Sequence, residues 1–148
     1  KKPVLLFMAF LLNAGSIKAS EAGLAFRYTP AKNNEAGFNF LLLHGLTSSK
    51  ETWSDQVHKG LSEKGNVWAV DLPGFGDSLR EPHSSQDEIM KPLLSFIRKR
   101  KLNHLVLIGH SVGAKIAVIC ASVVTPEKLI IEDMEMHPRK KFNRKSPA

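Results

Sequence analysis

From residue 24 onward, short uninterrupted apolar runs alternate with stretches in which apolar residues recur every three or four positions. A strand covered on both faces needs an apolar side chain at nearly every position, whereas a helix lying on a sheet needs only one apolar stripe. Residues 24–28 read as an early strand, ended by Thr29-Pro30 and the polar Lys32-Asn33-Asn34. Phe38–Leu43, interrupted only by Asn39, reads as a strand buried on both faces. Trp53, Val57 and Leu61 recur every four residues and predict an amphipathic helix with Gly65 at its C-terminal cap. A strand at 67–70 follows. Ser85-Gln86-Asp87-Glu88 fits a capping box, and Ile89, Met90, Leu93, Leu94 and Ile97 then mark one helical face. Pro92 falls inside that pattern and should kink the helix or delay its start. A strand at 105–108, a helix over Val112–Val124 closed by Thr125-Pro126, and a strand at 129–131 complete the series. The order β, β, α, β, α, β, α, β predicts an α/β chain with a mostly parallel central sheet and flanking helices.

The ends differ from this body. Lys1-Lys2-Pro3, a nine-residue apolar run at 4–12, and the small residues Gly15, Ser16, Ala19 and Ser20 have the form of a secretory signal peptide. The run is too short to span a bilayer as a helix. Residues 1–22 are therefore expected to be a leader, with a secretory or extracytoplasmic location. An uncleaved anchor or an organellar presequence is the alternative, with a mitochondrial or cytoplasmic location. Residues 23–136 are the expected folded core and 137–148 a basic, disordered tail.

The net charge of +7 invites a nucleic-acid reading. However, Lys1, Lys2, Lys18, Arg139, Lys140, Lys141, Arg144 and Lys145 all lie in the leader or tail, which leaves 13 basic residues against the chain's 14 acidic ones. The body is neutral, so no nucleic-acid surface is expected. A single cysteine, Cys120, excludes an internal disulfide, and its place in the apolar run 116–124 makes it a buried thiol.

The chemistry concentrates at three segments, each directly after a predicted strand. Gly109-His110-Ser111-Val112-Gly113 is a G-x-S-x-G between strand and helix. A sharp strand-to-helix turn needs glycines flanking the serine, and it lifts the hydroxyl clear of the sheet at a helix N-terminus. Ser111 is thus the candidate nucleophile for acyl transfer. Such chemistry needs two backbone N–H groups aimed at the developing oxyanion, one just after the nucleophile and one after an earlier strand. Val112 supplies the first, and Leu46, in His44-Gly45-Leu46-Thr47-Ser48, the second. His44, Gly45 and His110 are expected to border the substrate; His44 alternatively bonds only to neighbouring backbone. The third segment, residues 71–78, is turn-rich and reads as a structural loop.

With HGLTSSKETW at 44–53, DLPGFGDS at 71–78, GHSVGAK at 109–115 and LIIEDM at 129–134, in that order, the sequence resembles the α/β-hydrolase superfamily over about residues 38–136. Within it, the sequence resembles in particular the abhydrolase-domain-11-like and bacterial esterase members. The resemblance implies hydrolysis of a small-molecule ester or thioester by a serine nucleophile, with no cofactor and no metal. Relatives with dehalogenase or epoxide hydrolase chemistry carry Asp where this chain has Ser111. The family usually has Gly in place of Ala114.

In these hydrolases the triad runs serine, acid, histidine. Asp133 follows the last predicted strand, where some members place the acid; a strand-end capping role is the alternative. His137, before Pro138 and the basic run, is the one histidine after Ser111 and does not match the family's place for the base. The expectation is a partial α/β-hydrolase fold lacking the last strands. It should leave an apolar sheet edge at 129–131 available for self-association. A form that only binds a ligand or partner competes with the catalytic reading, since serine without a base is a poor nucleophile.

Overall fold

The computed structural model describes residues 17–21, 23–33, 37–78 and 85–133. Six strands form one sheet: β1 (Ile17–Glu21), β2 (Leu24–Thr29), β3 (Phe38–Leu43), β4 (Gly65–Val70), β5 (Leu105–His110) and β6 (Lys128–Glu132). Among the described residues three α-helices link β3 to β6: α1 (Asp55–Ser62), α2 (Gln86–Lys99) and α3 (Val112–Val124). The sheet order is β1-β2-β4-β3-β5-β6. β4, β3, β5 and β6 run parallel, while β2 and β1 close one side in antiparallel pairing.

Alternation along β3 shows how the layers arise. Leu41 and Leu43 face a core made with Phe96, Leu93, Ile116, Ala117 and Cys120 of α2 and α3. Phe40 and Leu42 face the opposite core with Trp53, Val67, Ala69, Val106 and Ile108, against which Leu61 of α1 packs. A side-chain period of two sends neighbouring residues to opposite faces, so a strand covered by helices on both sides must be apolar throughout. Burial raises the Cys120 thiol pKa to about 11, as befits an inert core thiol.

Four local expectations change. Gly65 does not cap α1: the cap is Glu63, and Gly65 opens β4. A Cβ on Gly65 would lie 2.0 Å from the Phe38 carbonyl oxygen, so glycine is required there by the close approach of β3. The buried face of α1 is carried by His58 and Ser62, while Val57 is exposed. The apolar spacing from Trp53 misaligns because Trp53 precedes the helix. Pro92 does not delay the start of α2, which begins at Gln86 under a complete Ser85–Glu88 capping box and runs through the proline. Two N-terminal donors satisfied reciprocally set that start before the proline is reached. Finally, Ile17–Glu21, the last part of the segment read as leader, belongs to the sheet as β1, in register from Ile17–Tyr28 to Glu21–Leu24. The leader's apolar run lies outside the described residues.

β6 is the outer strand on the other side, and all five of its residues are exposed. Leu129, Ile130 and Ile131 thus form the apolar edge that the sequence predicts.

Candidate active site

Because β4, β3, β5 and β6 are parallel, the loops that leave their C-terminal ends emerge along the same edge of the sheet. Open parallel sheets place their sites there. Leu43 lies beside Gly109 and His110 beside Glu132, which brings the loop after β3, the β5–α3 bend and the end of β6 together.

Ser111 stands alone between β5 and α3 with φ 52° and ψ −115°, in the positive-φ region that side chains rarely occupy. Holding a non-glycine residue there costs on the order of 1–3 kcal/mol, which the surroundings must over-determine. They do so with backbone. The Ser111 N–H donates to Glu132 O at 3.0 Å, and Ser111 O accepts from Ala114 N–H at 3.1 Å. A Cβ on Gly113 would lie 2.3 Å from Leu43 O, and one on Gly109 2.5 Å from Gly113 O. The two glycines therefore let α3 pack directly on β3 and β5. Ala114, where the family usually has glycine, is fully buried. The Ser111 side chain makes no capping hydrogen bond to α3.

Gly45 backs onto this bend. A Cβ there would lie 2.9 Å from His110 Nδ1 and 3.3 Å from Ser111 Cβ, so the loop at Gly45 lies against the bend. Leu46 is 61% exposed, and Thr47 after it has φ 56°.

His44 is fully buried. Its Nδ1–H donates to Gly45 O at 2.7 Å, and its Nε2 accepts from Leu72 N–H at 3.0 Å. Burial holds its pKa below the ordinary histidine value, in keeping with a neutral ring whose Nε2 accepts. With both ring nitrogens bonded to backbone, His44 shapes the loop, the alternative to substrate binding that the sequence left open. His110 is partly exposed and directs Nε2 towards Asp133, 3.9 Å from Oδ2 and beyond hydrogen-bond reach. Asp133 follows β6 at φ 49° with its side chain 87% exposed. His137 lies outside the described residues.

The sequence did not single out Lys50. It opens a single 3-10 turn, Lys50–Thr52, and is buried. Its backbone N–H donates to Asp71 Oδ1 at 2.5 Å, and its Nζ donates at 2.7 Å to both Asp71 Oδ2 and Asp77 Oδ2. Burial works to lower the Lys50 pKa, but the hydrogen bonds to Asp71 and Asp77 carry it above the ordinary lysine value. The hydrogen bond from Lys50 likewise lowers Asp77. Asp71 is the hub of the 71–78 segment: its carboxylate also accepts Asp77 N–H at 2.8 Å, and its carbonyl accepts the Ser78 hydroxyl at 2.6 Å. That segment is the structural loop the sequence predicts. The available signal was an aspartate directly after the apolar run 67–70. Nothing in the local pattern marks Lys50 as buried. Among the described residues, no group of three His, Cys, Asp or Glu side chains is placed to hold a metal ion.

Comparison with known proteins places these features in a common frame. Residues 40–145 match the model of the alpha/beta hydrolase family. The chain is 32% identical over 123 residues to ABHD14B of Rattus norvegicus, covering 78% of this chain and 57% of that protein. It is 31% identical over 99 residues to the sn-1-specific diacylglycerol lipase ABHD11 of Mus musculus, covering 64% of this chain and 32% of the lipase. Among solved structures it is similar to a marine microorganism esterase, with TM-score 0.63 and 27% identity, over 73% of this chain and 40% of the esterase. The chain thus spans roughly a third to three-fifths of the length of these relatives.

Proposed function

Because the chain belongs to the alpha/beta hydrolase family, we propose that it carries the nucleophile-bearing part of a serine hydrolase acting on carboxylic esters or thioesters. The observation that carries this reading is Ser111 held at positive φ between β5 and α3, with Gly45 of the loop after β3 close against it. A fold shared by many chemistries does not choose among them; the residue at the bend does.

In the proposed reaction the Ser111 oxygen attacks the substrate carbonyl carbon, and the carbonyl electron pair moves onto oxygen. The Leu46 and Val112 N–H groups receive that developing charge, with the N-terminus of α3 favouring it. Collapse expels the alkoxide or thiolate, which takes up the proton lost by serine, and water then releases the acid from the acyl-enzyme. Asp133 is the proposed acid partner of the family's proton-carrying histidine. Gly45 and His110 line the approach to the serine. Esterase and lipase relatives support a small-molecule ester as substrate.

A second reading is a form that binds a ligand or partner without turnover. It is favoured by Ser111 having, among the described residues, no histidine hydrogen-bonded to it. A fluorophosphonate probe separates the two. Covalent labelling of the folded chain that disappears in Ser111→Ala is the expected result. A folded, unlabelled wild type would reject Ser111 as a reactive nucleophile and favour the binding reading.

A further inference from the structure

The loop from Gly45 to Ser49 carries the amide assigned to the oxyanion, yet it belongs to no strand or helix. What holds it lies at its two ends, and both holds run to the loop after β4. At the front, His44 Nε2 accepts the Leu72 N–H. At the back, Lys50 is bound three times: once through its own N–H to Asp71 and twice through Nζ, to Asp71 and Asp77. The Lys50 side chain is 3% exposed and that of Asp71 0%, so this is a charge pair taken out of water. Such a pair is held firmly because separating it would strand a buried charge. Asp77, by contrast, is largely exposed and meets only the outer side of Nζ.

We propose that Lys50 is a positioning residue for the oxyanion-binding loop, pinning the far end of the Gly45–Ser49 segment to Asp71 so that the Leu46 N–H keeps its aim at the Ser111 centre. This deepens the serine-hydrolase reading and rests on it for its catalytic consequence, though not for the anchoring itself. His44 fixes the near end of a five-residue span, and without the Lys50–Asp71 contacts the far end is tied only through the 3-10 turn to the buried Trp53. A loosened far end lets the middle swing, and a displacement of about 1 Å at a reacting centre can cost on the order of 10²-fold in rate. The second anchor removes that freedom. Met at position 50 keeps the length of the side chain and loses the charge and both Nζ hydrogen bonds, whereas Arg keeps the charge and the donors.

The test uses the 148-residue chain and two readouts. The first is the backbone N–H order parameter from NMR relaxation, which reads loop motion whether or not the amide is hydrogen-bonded. Lys50→Met is expected to lower it at Leu46 and Thr47 from near the rigid value of about 0.85 to below about 0.6 while leaving the amides of β5 and α3 unchanged, and Lys50→Arg to restore most of it. The second is phosphonylation of Ser111 by a fluorophosphonate. Lys50→Met is expected to slow the maximal labelling rate on the order of tenfold without weakening probe binding, again with recovery in Lys50→Arg. A folded Lys50→Met whose Leu46 order parameter and labelling match wild type would overturn the proposal. If Lys50→Met does not fold, Asp77→Asn takes its place, since that carboxylate is exposed and touches the same Nζ; a smaller fall in the Leu46 order parameter is expected, and a wild-type value overturns the proposal. If wild type is never labelled but the Leu46 order parameter responds to Lys50→Met, the Ser111 reading fails and the anchoring stands.

Discussion

At the bend from β5 into α3, backbone holds backbone: Ser111 N–H reaches Glu132 O, and the two flanking glycines bring α3 against Leu43 and Gly109 with no side chain between. At the neighbouring loop from β3 towards α1, side chains from distant parts of the chain do the holding, His44 on Leu72 and Lys50 on Asp71. The two segments touch, yet one is specified by the absence of atoms and the other by a buried ion pair and a buried imidazole. A backbone-held bend should be rigid and indifferent to pH, and sensitive chiefly to added volume. A side-chain-held loop should answer to charge.

The largest effect expected on the charge-held side comes from Asp71→Ala, which leaves the Lys50 ammonium with the exposed Asp77 as its remaining carboxylate partner at hydrogen-bond distance and deletes three hydrogen bonds to the Asp71 carboxylate. Removing one partner of a buried pair costs about 3–5 kcal/mol, readable as a shift of the urea midpoint. A loss under about 1 kcal/mol would show that the loop does not depend on this pair. On the other side, Gly113→Ala places a methyl 2.3 Å from the Leu43 carbonyl oxygen, where only backbone can yield. We expect about 3 kcal/mol of destabilisation, the upper end for overpacking, even though alanine is the better helix former.

Acid sharpens the contrast. His58, on α1, is buried with its Nδ1 2.9 Å from Thr29 Oγ1. Burial, and then the nearby Arg27 charge, lower its pKa to about 4. Unfolded, the same ring titrates near 6.5, so the unfolded chain takes up the proton first and stability falls as pH drops from about 6.5 towards 4. The expected contribution is about 2 kcal/mol lost between pH 7.5 and pH 5, measured by denaturation at each pH. His58→Asn, whose amide can reach Thr29, should flatten that part of the profile; an unchanged slope would remove His58 as its source. The smallest effect belongs to the exposed Lys32–Glu63 pair, where Lys32→Ala should change stability by no more than about 0.5 kcal/mol. A larger change there would mean that charge matters on this surface as well, and that burial is not what separates the two regions.

The bend was legible from residues 105–124 because every determinant is local: an apolar run, glycine on each side of Ser111, and an apolar helix after it. The same holds for the capped start of α2 at Ser85. Locality also explains the errors. The stripe Trp53, Val57, Leu61 assumed one continuous helix, but Trp53 is extended and α1 begins only at Asp55, after the Ser54 cap, with its buried face on His58 and Ser62. Gly65 looked like a cap because the backbone pressing on it belongs to Phe38, far back in the chain. Strand β1 was hidden in a segment whose composition suits a leader, because its stability comes from pairing with β2 rather than from its own residues.

Read alone, then, the order of residues already specifies the alternation of strands and helices, the bend at Ser111 and the neutral body, since each depends on neighbours within a few positions. The fold alone decides that Lys50 is buried, that Asp71 receives it, that His44 spends both nitrogens on backbone, and that His110 and Asp133 stop 3.9 Å apart. A polar side chain's role is set by what meets it, and that partner is supplied by sheet order and strand register, which bring together residues such as Lys50 and Asp71 that lie 21 positions apart.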